Sequence, residues 1–151
     1  MTDVFRAVLD TNVLVSATLS QNPSSPTREL VARWLQAEFA LLTCDDLVDE
    51  LIETLQARSV APARIHEQLS NLVALAEWVE VASTAIELVL PDPDDNVVVA
   101  CAVVGHATHL VTYDPHFDGL NGDYHGVRIL KALPFLWLVR GDTPPAAAPA
   151  P

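Results

Sequence analysis

Ala7-Val8-Leu9-Asp10-Thr11-Asn12, near the start of the chain, sets the reading of everything after it. Val4 to Leu9 is a short apolar run with β-branched and aromatic members, and it breaks off at once into Asp10, Thr11 and Asn12. A run of that length and content predicts a buried strand ending in a polar turn. The same pattern returns at Leu110-Val111-Thr112-Tyr113-Asp114, where a strand predicted over His109 to Thr112 also runs into an aspartate.

Between these two strands the apolar spacing alternates. Leu30, Val31, Trp34 and Leu35 predict an amphipathic helix over Thr27 to Phe39, followed by a strand from Phe39 to Thr43. Leu47, Val48, Leu51, Ile52 and Leu55 then form one stripe, on a helix capped by Thr43 or Asp45. Pro62 opens a helix to about Ala76, and Trp78 to Val81 reads as the third strand. After Pro91 and Pro93, Asp94 or Asp95 opens an all-apolar helix from Asn96 to Val104, which Gly105 stops. Val127 to Leu130 is the fifth strand, and a last helix covers Leu133 to Val139. Strands alternating with helices predict an α/β fold, a mainly parallel five-stranded sheet covered on both faces. In such sheets function gathers outside the carboxyl ends of the strands, where the strand order reverses.

Composition bounds the rest. With 151 residues, 50% of them hydrophobic and 19% charged, the chain supports one folded core. Residues 1–141 read as that single domain and residues 142–151, rich in Pro and Ala, as a disordered tail. Val97 to Val104 and Leu133 to Val139 are the longest apolar stretches, far below the ~18 residues of a membrane span. The first residues lack the basic start and long apolar stretch of a signal peptide, so the expected location is the cytoplasm. Cys44 and Cys101 show no Cys-x-x-Cys spacing and sit in apolar segments, which excludes a thiolate zinc site and predicts two small buried hydrophobes. The formal net charge of −12 excludes whole-surface attraction for a polyanion. A nucleic-acid substrate would need a local remedy.

The acids suggest one. Asp10 and Asp114 end two strands, and Asp92, Asp94 and Asp95 stand just before the buried helix that leads into the second. Each alone also reads as a turn former or helix cap. If the two strands are neighbours at the switch point, however, all these carboxylates meet in one crevice. Carboxylates so placed either raise each other's pKa or are bridged by a cation, and oxygen ligands select Mg²⁺ or Mn²⁺. Competing chemistries fail on residue identity. A haloacid-dehalogenase-like phosphatase needs a second Asp where Asn12 stands, a receiver domain needs an acidic pair at the first strand, and no Gly-x-Gly-x-x-Gly follows any strand.

Val8-Leu9-Asp10-Thr11-Asn12-Val13-Leu14-Val15-Ser16-Ala17 resembles the opening of PIN-domain ribonucleases, the family of VapC-like toxins. Asp92-Pro93-Asp94-Asp95-Asn96, Leu110-Val111-Thr112-Tyr113-Asp114 and Gly126-Val127-Arg128-Ile129-Leu130 are similar to later segments of that family, in the same order. The likeness covers about residues 4 to 139. It implies a three-layer α/β/α domain that binds one or two Mg²⁺ or Mn²⁺ ions and hydrolyses RNA, the toxin half of a toxin–antitoxin pair with an antitoxin partner. The implied ligands are Asp10, Glu50, Asp95 and Asp114, with Asp92 or Asp94 as an alternative to Asp95. Thr11, Asn12, Ser16 and Thr112 are candidates to orient carboxylates or water. Arg28 and Arg33 are the favoured RNA-binding cations among Arg6, Arg28, Arg33, Arg58, Arg64 and Arg128. Trp34 and Trp137 suggest a homodimer, though core packing explains them equally well. The histidines show no ligand spacing, and only His116 is near an acid. The competing expectation is a catalytically inactive binding or scaffold module of the same fold, suggested by the −12 charge. A DNA-directed nuclease is a weaker alternative.

Overall fold

A computed structural model describes residues 4–142. The expected tail therefore lies, apart from Asp142, outside the described residues. Six strands form one sheet in the order β3-β2-β1-β4-β6-β5. These are β1 (Arg6–Leu9), β2 (Ala40–Thr43), β3 (Glu77–Trp78), β4 (His109–Val111), β5 (Asp123–Tyr124) and β6 (Val127–Leu130). All neighbours pair in parallel except β5 and β6. The sixth strand corrects the count of five. It has two residues, too short to show alternation, and the turn returning it to β6 places His125 at φ 49° and Gly126 at φ 82°. Two consecutive positive φ values are what a tight hairpin needs, and glycine accepts one at no steric cost.

Among the described residues six α-helices cover the sheet: α1 (Thr11–Leu19), α2 (Pro26–Leu35), α3 (Asp45–Ala57), α4 (Pro62–Leu75), α5 (Pro93–Val104) and α6 (Ala132–Arg140). The strands alternate their side chains between two cores, as a pleated sheet requires. Ala7, Leu9, Leu41 and Val111 join Leu30, Trp34, Leu51, Leu55 and Phe135 on one face. Val8, Leu42 and Leu110 join Val98, Cys101, Phe117 and Val127 on the other. Three layers result. Trp34 is 3% exposed, so it fills this core and offers no surface to a second subunit. Cys44 and Cys101 are buried free thiols, as expected. No helix among the described residues is long and apolar enough to cross a membrane.

Several boundaries differ from the sequence reading. The largest difference is α1, a nine-residue helix where only a turn was expected. Thr11, Val13, Leu14, Val15, Ala17 and Thr18 are all buried, so no polar face betrays a helical period. Four of those six are β-branched, which argues locally against a helix. Burial overrides that preference. The first strand begins at Arg6, the third strand is Glu77–Trp78, and the second helix ends at Leu35. Cys44, not Thr43 or Asp45, is the N-cap residue of α3. Asp92, not Asp94 or Asp95, caps α5, with its carboxylate accepting from the Asp94 backbone N–H at 2.9 Å.

β1 lies in the middle of the sheet with β2 on one side and β4 on the other, and Leu9 is in register with Val111. The strand order thus reverses between β1 and β4, the two strands that run into aspartates. Gly105 permits the tight turn from α5 into β4, because a Cβ there would stand 2.6 Å from Leu42 and 2.8 Å from Val79. Arg6 ties the opposite end of the sheet together. It pairs with Glu77 at 2.8 Å and donates to the Gly105 carbonyl at 2.7 Å.

Candidate active site

Asp10 leaves β1 in an extended conformation and caps α1, so its carboxylate is fixed at the sheet edge by both elements. One oxygen accepts from the Thr11 N–H at 2.8 Å. The other accepts from the Thr112 hydroxyl at 2.8 Å and the Asn12 amide at 3.4 Å. The Asn12 carbonyl oxygen in turn accepts from the Tyr113 N–H at 3.2 Å, and Thr112 also accepts from the Asp114 N–H at 3.0 Å. Thr112 and Asn12 therefore lock the end of β1 to the end of β4. Asp10 is 5% exposed. Burial pushes its pKa up, against the pull of the Thr112 and Thr11 donors, and the charge on Asp114 adds to the rise.

Asp95 comes from the first turn of α5 and is 7% exposed. Its pKa is pushed up to about 6 by burial first, then by Asp114, with Asp92 and Asp10 contributing, while the His116 contact opposes the rise. Asn96 sets this helix in place. Buried to 1% exposure, it accepts from the Val89 and Leu90 N–H groups and donates to the Leu90 carbonyl. The loop before Asp92 is thereby stapled to α5. Asp94 is exposed and faces α3, beside Asp46, Asp49 and Glu53.

Glu50 lies on the polar side of α3, as its helical-wheel position predicts. There it accepts from the Thr11 hydroxyl at 3.4 Å. Its pKa is raised by partial burial and by the charges of Asp10, Asp94 and Asp95. Asp114 starts the short 3₁₀ turn Pro115–Leu120 and accepts from the His116 N–H at 2.9 Å. That turn swings the His116 ring back, so that its Nδ1 stands 3.3 Å from an oxygen of Asp95 and 3.3 Å from an oxygen of Asp114. Asp92, Asp95 and His116 each offer one ligand atom within 4.8 Å of the others, the one group of metal-ligating type at that spacing among the described residues.

The expected acids thus influence one another at a single edge. The tightest metal-type triad nevertheless contains Asp92 and a histidine in place of Asp10, Glu50 and Asp114. His116 stands out in the sequence only as the histidine nearest an acid and has no place there among the ligands. Its signal was the Asp114-Pro115-His116 spacing, in which a strand-ending acid also caps the next turn. Ser16 makes its side-chain hydrogen bond with Thr27, at 3.2 Å, and none to the carboxylates. Arg33 is held by Glu29 at 2.8 Å and Glu38 at 2.6 Å, and Arg28 reaches the Ser20 carbonyl at 3.4 Å, so neither is brought to the acids.

The donor set fits a hard divalent cation. Buried carboxylates normally have a basic partner, yet among the described residues every Arg ion pair is made elsewhere, with Glu29, Glu38, Glu77 or Asp142. Asp10, Glu50 and Asp95 all have raised pKa values, burial being the first cause and the charge of neighbouring carboxylates adding to it. Carboxylate oxygens with one imidazole nitrogen suit Mg²⁺ or Mn²⁺, with the nitrogen favouring the latter.

Residues 6–116 match the family model of the PIN domain. The chain belongs to the PIN domain family. No curated protein matches it in sequence. Among solved structures, this PIN domain is similar to VapBC2 from Rickettsia felis bound to a DNA fragment from their promoter. The TM-score is 0.59 at 12% identity, covering 83% of this chain and 97% of that one. At that identity the likeness is one of fold, and it agrees with the three-layer architecture above. The matched segment of the PIN domain runs from β1 to His116, and so includes every carboxylate of the sheet edge.

Proposed function

We propose that this PIN domain is a Mg²⁺- or Mn²⁺-dependent endoribonuclease that hydrolyses RNA phosphodiester bonds in the cytoplasm, the toxin component of a toxin–antitoxin pair. One observation carries the reading: the buried carboxylates of Asp10 and Asp95 and the half-buried one of Asp114 gather at a switch point with no Arg or Lys ion pair among the described residues, the His116 ring being their one basic neighbour. Membership of the PIN family and the likeness to a VapBC assembly support the toxin assignment. A cognate antitoxin and a homodimeric assembly belong to the same proposal and come from the resemblance.

Asp10, Glu50, Asp95 and Asp114 would hold the ion, with Asp92 and His116 grouped beside Asp95. A divalent ion bound there supplies a water of lowered pKa as nucleophile and neutralises charge on the phosphate. The chain does the positioning. Thr112 and the Thr11 N–H hold the Asp10 carboxylate in one orientation, so it does not swing on binding. Thr11 holds Glu50 toward the same edge. His116, at the mouth and against two carboxylates, can carry a proton at Nδ1.

The test pairs two measurements on the full chain. Calorimetric titration with Mn²⁺ is expected to show saturable binding that Asp95→Asn abolishes, and a single-stranded RNA is expected to be cut in Mn²⁺ by wild type and not by Asp10→Asn. Absence of saturable Mn²⁺ binding would favour the inactive scaffold and refute the enzyme.

A further inference from the structure

A groove of about 570 Å³ runs between α1 and α3, lined by Thr11, Asn12, Ser16, Glu50, Thr54 and Arg58 among others. Glu50 and Thr54 on α3 and Arg58, its C-cap, are spaced by four residues, so they share one face, and Arg58 lies about 12 Å from Glu50 along the axis. The groove therefore has the carboxylate edge at one end and a guanidinium at the other. Its polar lining between them is hydroxyl and amide. Arg58 is exposed and makes no ion pair or side-chain hydrogen bond among the described residues. Arg6, Arg33 and Arg140 are occupied by carboxylates and Arg28 and Arg64 by the Ser20 and Thr18 carbonyls, while Arg128, exposed on β6 beside His109, does not line the groove.

We infer that this groove is the strand-binding channel of the proposed nuclease, and that Arg58 holds a backbone phosphate adjacent to the one being cut. The inference rests on the metal-dependent reading, because a cation at the acidic end gives the channel a second phosphate-binding position, separated from Arg58 by neutral donors. That pattern matches a single-stranded polyanion. Threonine, serine and asparagine side chains reach phosphate and sugar oxygens without reading bases, so the channel positions the strand and leaves sequence choice to other contacts. Arg58 replaces Arg28 and Arg33 as the substrate-facing cation, and it supplies the local remedy that a chain of net charge −12 requires.

Anisotropy of a fluorescein-labelled single-stranded RNA of about ten nucleotides, in Ca²⁺ with a gel showing the strand intact, tests this. Arg58→Gln is expected to weaken binding about five- to tenfold and to reduce the slope of log K against log[salt] by roughly 0.7, one phosphate contact's worth for a single strand. Thr54→Lys, which adds a cation midway, is expected to tighten binding and steepen the slope by a similar amount. Mn²⁺ calorimetry of Arg58→Gln is expected to match wild type. If wild type binds Mn²⁺ and RNA but neither variant changes the RNA affinity or its salt slope, the channel is refuted and the metal reading stands. If wild type binds no Mn²⁺, the metal reading itself fails.

Discussion

Removing charge from the acidic edge is expected to stabilise the metal-free protein, and Asp95→Asn is the sharpest case. The carboxyl of Asp95 is pushed up to about 6 from an ordinary 3.8. A folded-state pKa above the unfolded one means that charging the group costs the fold free energy. The cost is absent below pH 3.8, grows as pH rises, and is complete above about 6. At about 1.4 kcal/mol per pK unit it reaches about 3 kcal/mol at neutral pH. The α5 N-terminus favours a negative charge by about 0.3–1 kcal/mol, which trims the expected gain to about 2 kcal/mol. For a domain of this size that is roughly 4–8 °C in Tm. Asparagine is nearly isosteric, so the side chain still fills its buried position. The assay is thermal and urea unfolding of both proteins at pH 7.5, in EDTA and again in millimolar Mn²⁺. Wild type is expected to gain about 3 kcal/mol at a hundredfold excess of Mn²⁺ over Kd. The variant should start higher and gain little. An Asp95→Asn protein that is less stable than wild type in EDTA, or that keeps the full Mn²⁺ gain, would refute the idea of an uncompensated cage.

Other outcomes follow from the same geometry. His109, buried against Phe5 and Phe135 with Nε2 unpartnered, has its pKa lowered to about 4 by burial and by Arg128. Its neutral form is required, so stability is full above pH 6.5 and is lost as pH falls toward 4. About 2 kcal/mol should be gone at pH 5 by urea melts, and His109→Phe should remove that slope. Because Asp95 titrates over an overlapping range with the opposite sign, the acid-side loss should be steeper in Asp95→Asn than in wild type. His116→Ala should weaken Mn²⁺ binding more than Mg²⁺ binding in parallel calorimetric titrations, since it removes the one nitrogen near the carboxylates. Equal losses would show that the ring does not reach the ion. Gly105→Ala should cost about 1–3 kcal/mol in urea unfolding, because its Cβ would meet Leu42 at 2.6 Å and Val79 at 2.8 Å. An unchanged midpoint would mean that these side chains move aside freely.

Much of this was legible in the sequence, for reasons that also explain the omissions. α2, α3 and α4 each carry a polar and an apolar face, so their period shows; α1 is buried nearly all round and its period does not. The neighbouring positions of β1 and β4 could be inferred from their shared ending on aspartate, but β5 is too short to carry any pattern. In the site, Asp10, Asp95 and Asp114 follow from position at element ends. His116 does not, because its role depends on a 3₁₀ turn that brings the ring back over the preceding acid. Arg28 and Arg33 are favoured in the sequence for flanking the helix that follows Asp10 by a long loop, yet Glu29 and Glu38 hold the second. Spacing along a chain does not reveal which cation already has a partner.

Asp10 is both the cap of α1 and a member of the acidic edge. Asparagine serves as an N-cap about as well as aspartate. On the proposed nuclease reading, a lineage would lose its chemistry at this position through one nucleotide change while its architecture persists untouched. On that reading, the letter at position 10 sorts active from silent copies of this domain better than any measure of overall shape.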